Sequence, residues 1–243
     1  DDSEEAGLSC KNIQLSYYTF VSCWTDSEEE SIPLWKMYAG KEMHGIRISL
    51  DSDMFLKYHI PSGRFYGVDV YSKNEKSSIL PIEKIVTKDY LVVPSFNDSE
   101  MFFKKVLYVD NPFSEMRDVV QIQDMGNGEG AMKMNLKKIG LYKRKCWAFQ
   151  KEHRFTLTIL PNIWGDIDIN QMPKRIMQAV YDRIPPKLSF FDLEINPELL
   201  SKMKITLSPI CSEAEKVIVE SIVQKFAPKA IIRESMLKGL INR

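Results

Sequence analysis

The chain has 243 residues, 44% of them hydrophobic and 27% charged, the balance of a globular protein with a sizeable core. Lysine plus arginine and aspartate plus glutamate number 33 each, so the formal net charge is zero and the basic excess expected of a nucleic-acid binder is missing. No apolar run approaches the roughly 18 residues of a membrane-crossing helix, and no signal-peptide pattern opens the sequence.

In chain order, the acids among Asp1 to Glu5 read as a solvated end. Leu15 to Trp24, rich in aromatic and β-branched residues, predicts a buried strand. Thr25 to Glu30 offers cap-type residues and then acids, a helix start that puts Leu34, Trp35 and Tyr38 on one face, with a stop at Gly40. Ile46 to Leu50 alternates as a strand. Asp51 to Tyr58 predicts a short helix. Arg64 to Tyr71, Ile79 to Ile85, Tyr90 to Val93 and Met101 to Val109 predict strands. Residues 110–130, with Gly126, Gly128 and Gly130, lack a period and read as a mobile loop or insertion. These glycines do not have the strand–loop–helix context of a phosphate loop.

Met132 to Gly140 predicts a helix. An apolar strand runs from Phe155 to Leu160. Ile169 to Ile184 predicts an amphipathic helix through Ile169, Met172, Ile176, Ala179, Val180 and Arg183. Leu188 to Ile195 and Lys204 to Leu207 predict strands. Cys211-Ser212-Glu213 opens a helix reaching Phe226, with Val217, Ile218, Ser221 and Ile222 expected to face inward, and Ala230 to Ile232 predicts a closing strand. With no repeat, low-complexity tract or flexible linker, residues 1–243 predict a single α+β domain whose mixed, mostly antiparallel β-sheet is flanked by helices.

Cys10, Cys23, Cys146 and Cys211 are scattered, without metal-site or redox spacing, and predict reduced thiols in a cytoplasmic protein. His44, His59 and His153 show no metal-binding pattern, so no metal site is expected. The stretch from Trp147 to Phe155 holds the densest polar chemistry. If extended, it places Gln150, Glu152 and Arg154 on one face at steps of about 6.7 Å. Glu152 there suits a general base or a group polarising a ribose hydroxyl, with Gln150 orienting the acceptor. The other reading of the same residues is a Glu152–Arg154 pair that fixes strand register. Lys137, Lys138, Lys143, Arg144, Lys145, Lys151 and Arg154 form a basic run interleaved with Tyr142, Trp147 and Phe149. That pattern fits single-stranded nucleic acid or a dinucleotide, or else a solvated helix end.

Leu34-Trp35-Lys36-Met37-Tyr38-Ala39 with His44-Gly45, Phe20-Val21-Ser22-Cys23-Trp24, and Trp147-Ala148-Phe149-Gln150-Lys151-Glu152-His153-Arg154 together resemble the signatures of a bacterial family catalogued as domain of unknown function 2971. The resemblance spans roughly residues 15–235. Gln150 stands where the family has its first Glu. The family's Tyr-rich opening strand and its Phe-Asn-Asp-Pro-Phe loop are not found before Leu15, so that either an N-terminal family segment is missing or this member has diverged. Gln150-Lys151-Glu152 is also similar to the Gln/Glu-x-Glu motif of ADP-ribosyltransferases. That likeness implies Glu152 as the catalytic carboxylate with Gln150 as its partner, Trp35 or Tyr38 stacking on nicotinamide, and Arg154 meeting a pyrophosphate. His44 and Trp147 complete the implied substrate-binding set.

Two functions follow. One is a nucleotide- or NAD-handling effector, an ADP-ribosyltransferase-like transferase of a toxin or phage-defence system. The other is a non-catalytic regulatory or protein-interaction domain in which Trp35, Tyr38, Trp147, Glu152 and Arg154 form a structural knot. The enzyme requires Glu152 to line a solvent-filled cleft beside Tyr38 and His44. A Glu152 sealed against Arg154 favours the knot.

Overall fold

The computed structural model describes residues 9–10, 13–60, 62–65, 68–70, 77–126, 129–163, 165, 168 and 170–241. The elements used below are β1 (Thr19–Thr25), α1 (Ile32–Tyr38), β2 (Ile46–Ser49), β3 (Tyr90–Val92), β4 (Phe103–Lys105), β5 (Leu107–Val109), β6 (Val120–Gly126), β7 (Glu129–Met134), β8 (Tyr142–Arg144), β9 (Glu152–Pro161), α2 (Met172–Tyr181), β10 (Lys204–Leu207), α3 (Glu213–Phe226) and β11 (Ile231–Arg233). The architecture is α+β, with mixed, mostly antiparallel strands spread over several small sheets. The chain divides into two compact units, the first made of Asp1–Asp26 and Tyr58–Asp192, the second of Ser27–Lys57 and Leu193–Arg243.

The first unit is organised on β9, a ten-residue strand buried along nearly its whole length. Burial on both faces needs partners on both edges, and β9 has them: β1 on one side, β4 and then β3 on the other, all antiparallel. Its register sets Arg154 between Cys23 of β1 and Lys104 of β4, and Phe155 between Ser22 and Phe103. A core of Ile13, Leu15, Tyr18, Val119, Val120, Ile139, Leu160 and one face of α2 lies nearby. In α2, Met172, Ile176, Ala179 and Val180 are the buried face. Arg183, expected on that face, is exposed at φ 57° just beyond the helix, and Ile169 lies outside the described residues.

In the second unit, β10 pairs antiparallel with β2 and parallel with β11. Parallel neighbours require a crossover, and α3 supplies it. Ser212 and Glu215 form a capping box at its start: the Ser212 Oγ accepts from the Glu215 amide at 3.3 Å, and Glu215 Oε2 accepts from the Ser212 amide at 2.8 Å.

Several expectations are corrected. Leu15–Tyr18 is a 3₁₀ turn, which brings the buried Leu15 and Tyr18 to one side at the three-residue spacing that turn favours. The strand begins at Thr19, and because β1 is an edge strand, Val21, Ser22 and Cys23 are exposed. The helix at α1 starts later than the acids, capped by Ser31, whose Oγ accepts from Leu34. Asp51 to Tyr58 is not helical; Phe55 bridges Ile195 instead, the one bridge in the region expected to be a strand from Leu188. Ile82–Ile85 is a helical turn where a strand is expected, and Ser99–Phe102 is another ahead of β4.

Residues 110–130 contain the helical turn Pro112–Glu115 and most of the β6–β7 hairpin; Asn127 and Gly128 lie outside the described residues. The helix expected from Met132 is strand β7. Met132, Met134 and Leu136 alternate at period two and pack on the core, which a strand satisfies and a helix does not. On α3 the expected inward face is reversed. Val217, Ile218 and Ile222 are exposed, and Val223 is buried.

Candidate functional site

The stretch from Trp147 is not extended throughout. Lys145–Gln150 is a 3₁₀ helix, and Lys151 at φ 45° turns the chain before β9 begins at Glu152. Gln150, Glu152 and Arg154 nevertheless converge, Gln150 from the turn and the other two from one face of β9. The group that joins them is Lys143, from β8. Its Nζ donates to Gln150 Oε1 at 2.7 Å and to Glu152 Oε2 at 2.9 Å, while Arg154 Nε donates to Glu152 Oε1 at 2.6 Å. Arg154 also donates to the Gly140 carbonyl at 3.1 Å. Lys104, directly opposite Arg154, donates to the carbonyls of Leu136 and Ile139 at 2.7 Å each. The Glu152 amide donates to the Tyr108 hydroxyl of β5 at 2.8 Å.

Lys104, Lys143, Gln150, Glu152 and Arg154 are each only 3–4% exposed. The cluster holds three cations and one carboxylate. The turn at residues 136–140 relieves the excess by aiming three carbonyl oxygens at Lys104 and Arg154, since buried charge is tolerated only when paired and hydrogen-bonded. Burial pushes the Glu152 carboxyl up, but Arg154 first, then Cys23 and Lys143, outweigh it and hold the group down at about 2. Desolvation, with Arg154 adding to it, lowers Lys104 to about 8. Cys23, exposed overall on its edge strand and expected to be a core residue, directs its thiol at Glu152. Desolvation of the thiol and the neighbouring Glu152 carboxylate push it up to about 12.

The basic run is tied down by acids and carbonyls remote in sequence. Lys137 pairs with Glu100 at 2.5 Å and Lys145 with Asp110 at 2.7 Å; Lys138 donates to the Glu115 carbonyl and Arg144 to that of Asp110. Trp147 lies 5.2 Å from Lys143 Nζ and 6.1 Å from Phe149, between ring centroids, so it roofs the cluster's lysine.

Trp35, Tyr38 and His44 belong to the second unit. Trp35 is buried and its Nε1 donates to Glu30 Oε2 at 3.0 Å; the same carboxylate accepts from Ser235 Oγ at 2.6 Å and the Met236 amide at 2.7 Å. Tyr38 is 62% exposed. His44 Nδ1 lies 2.5 Å from Glu215 Oε1, which ties it to the α3 capping box, and Ser212 and His44 hold the Glu215 carboxyl down at about 2. Arg47 of β2 donates to the carbonyls of Ser27, Glu28 and Glu29.

Lys104, Tyr108, Glu30 and Arg47 were not singled out from sequence. Lys104 had a signal: it interrupts the apolar run Phe102-Phe103-Lys104-Lys105-Val106 at a position that a strand must turn inward. Glu30 had none. Among the described residues, no group of three or more His, Cys, Asp or Glu side chains could hold a metal ion, and no helix is long and apolar enough to cross a membrane. No family model matches the sequence, and no curated protein or solved structure shows significant similarity to it.

Proposed function

We propose that this chain is a non-catalytic protein-interaction domain and that Lys143, Gln150, Glu152 and Arg154 are an architectural knot. The observation that carries this reading is the state of Glu152. It is 3% exposed, Arg154 occupies one carboxylate oxygen and Lys143 the other. A carboxylate that must reach a ribose or activate an acceptor needs an open path to its substrate, and Glu152 at this burial presents none. Here each cation also has a second task, Lys143 on Gln150 and Arg154 on the 136–140 turn, so freeing Glu152 would leave two buried cations without their shared carboxylate. The unpaired cysteines Cys23, Cys146 and Cys211 support a reducing compartment, the cytosol.

The test is nicotinamide release from NAD by the wild type and by Glu152→Gln. Release no faster than the protein-free blank supports the interaction-domain reading. Wild-type release that vanishes in a folded Glu152→Gln variant overturns it and favours the NAD-handling transferase.

A further inference from the structure

Helix α3 carries apolar side chains on two opposite sides, and the fold uses one. Val223 is buried, while Val217, Ile218 and Ile222 are 59%, 58% and 54% exposed. At about 100° per residue, Ala214, Val217, Ile218, Ser221, Ile222 and Lys225 share an arc of about 140° whose centre lies opposite Val223. An arc that wide is the width of a core-facing stripe. On the open side of a crossover helix, charged residues are expected; here Ala214, Val217, Ile218 and Ile222 make a mainly apolar strip, the mark of an interaction surface.

We infer that the occupant of this strip is a second copy of the same chain, its α3 packed antiparallel across a two-fold axis. Charge decides the partner. The first turn of α3 is acidic, through Glu213 and Glu215, and the last turn is basic, through Lys225. A parallel copy sets like charges together. A two-fold axis between Ile218 and Ser221 brings Val217 onto Ile222 of the second copy and carries Lys225 onto Ala214 of that copy's first turn, with the exposed Glu213 flanking it. The helix dipoles are opposed in this arrangement, which is also favourable. Ser221 supports close approach at the axis: it is small, and its hydroxyl is satisfied within the helix, donating to the Val217 carbonyl at 2.7 Å. A 14-residue helix spans only about 21 Å. The interface is therefore at the small end for stable complexes, and the dimer is weak.

This inference rests on the interaction-domain reading and names its partner, but the two fail separately, because one is read by NAD turnover and the other by association state. The experiment is sedimentation equilibrium of the full chain over a concentration series. The wild type is expected to pass from monomer to dimer, Ile218→Glu to remain monomeric, and Lys225→Glu to raise Kd about tenfold. Adding Glu213→Lys to Lys225→Glu is expected to restore wild-type association. A wild type that stays a single 28.2 kDa species up to about 0.5 mM overturns the inference, as does a dimer that Ile218→Glu leaves intact. Failure of the charge reversal to restore association overturns the antiparallel arrangement.

Discussion

Glu152→Gln is the change that loads the first unit most heavily. Glutamine keeps the shape of the side chain but removes the negative charge that Lys143 and Arg154 share, at 2.9 and 2.6 Å. Both cations then remain 4% exposed and have each lost the ion pair with Glu152. Breaking a buried pair by removing one partner costs about 3–5 kcal/mol, because the remaining charge stays desolvated. Two cations depend on this one carboxylate, and the middle of that range, about 4 kcal/mol, is the expected loss. For a chain of 243 residues that lowers Tm by roughly 8–16 °C. Thermal unfolding followed by circular dichroism measures it. The triple variant Lys143→Met, Glu152→Leu, Arg154→Met removes all three charges together and is expected to regain much of the loss. A Glu152→Gln variant within about 2 °C of the wild type would refute the knot as a stabilising element.

Two further outcomes follow from the same geometry. The Glu152 carboxyl is lowered from an ordinary 4.5 to about 2 in the folded chain, so its contribution is fully present above 4.5 and is lost as pH falls toward 2. Urea unfolding is therefore expected to show the gap between wild type and Glu152→Gln closing by about 3 kcal/mol across that window, and a constant gap would contradict it. Gly140 sits at φ +70°, and an added Cβ there meets only ordinary contacts, the nearest Thr156 Oγ1 at 3.8 Å. Gly140→Ala is then expected to cost only the backbone strain of the left-handed region, about 1 kcal/mol, read as a Tm lower by roughly 2–4 °C. A much larger fall would mean that the turn itself had moved off Arg154.

Sequence patterning foresaw elements where one period dominated. The alternation at Ile46–Ser49 and Lys204–Leu207, and the cap-type start of the helix at Glu213–Phe226, all hold. It failed where two periods fit the same letters. Met132, Met134 and Leu136 suit a helix as readily as a strand until the pairing of β7 with β6 decides. On α3, apolar residues lie on both sides, so the helical period alone could not say which side is buried. The candidate site was half visible. Gln150, Glu152 and Arg154 were grouped correctly, although the turn at Lys151 means that they meet for a different reason from a shared strand face. In sequence Lys143 belongs to a basic run, because nothing local distinguishes it from Lys145, which is exposed; the pairing of β8 with β5 turns it inward.

Glu152 is a buried, doubly paired anion. That state is tested most directly by a carbon-detected NMR titration of the Glu152 side-chain carboxyl in the wild type. The carboxyl is predicted to remain ionised below pH 4.5, down to about 2 or to the pH at which the fold is lost. A midpoint at or above 4.5 in the folded protein, the behaviour of a carboxyl free to meet solvent or substrate, would contradict it.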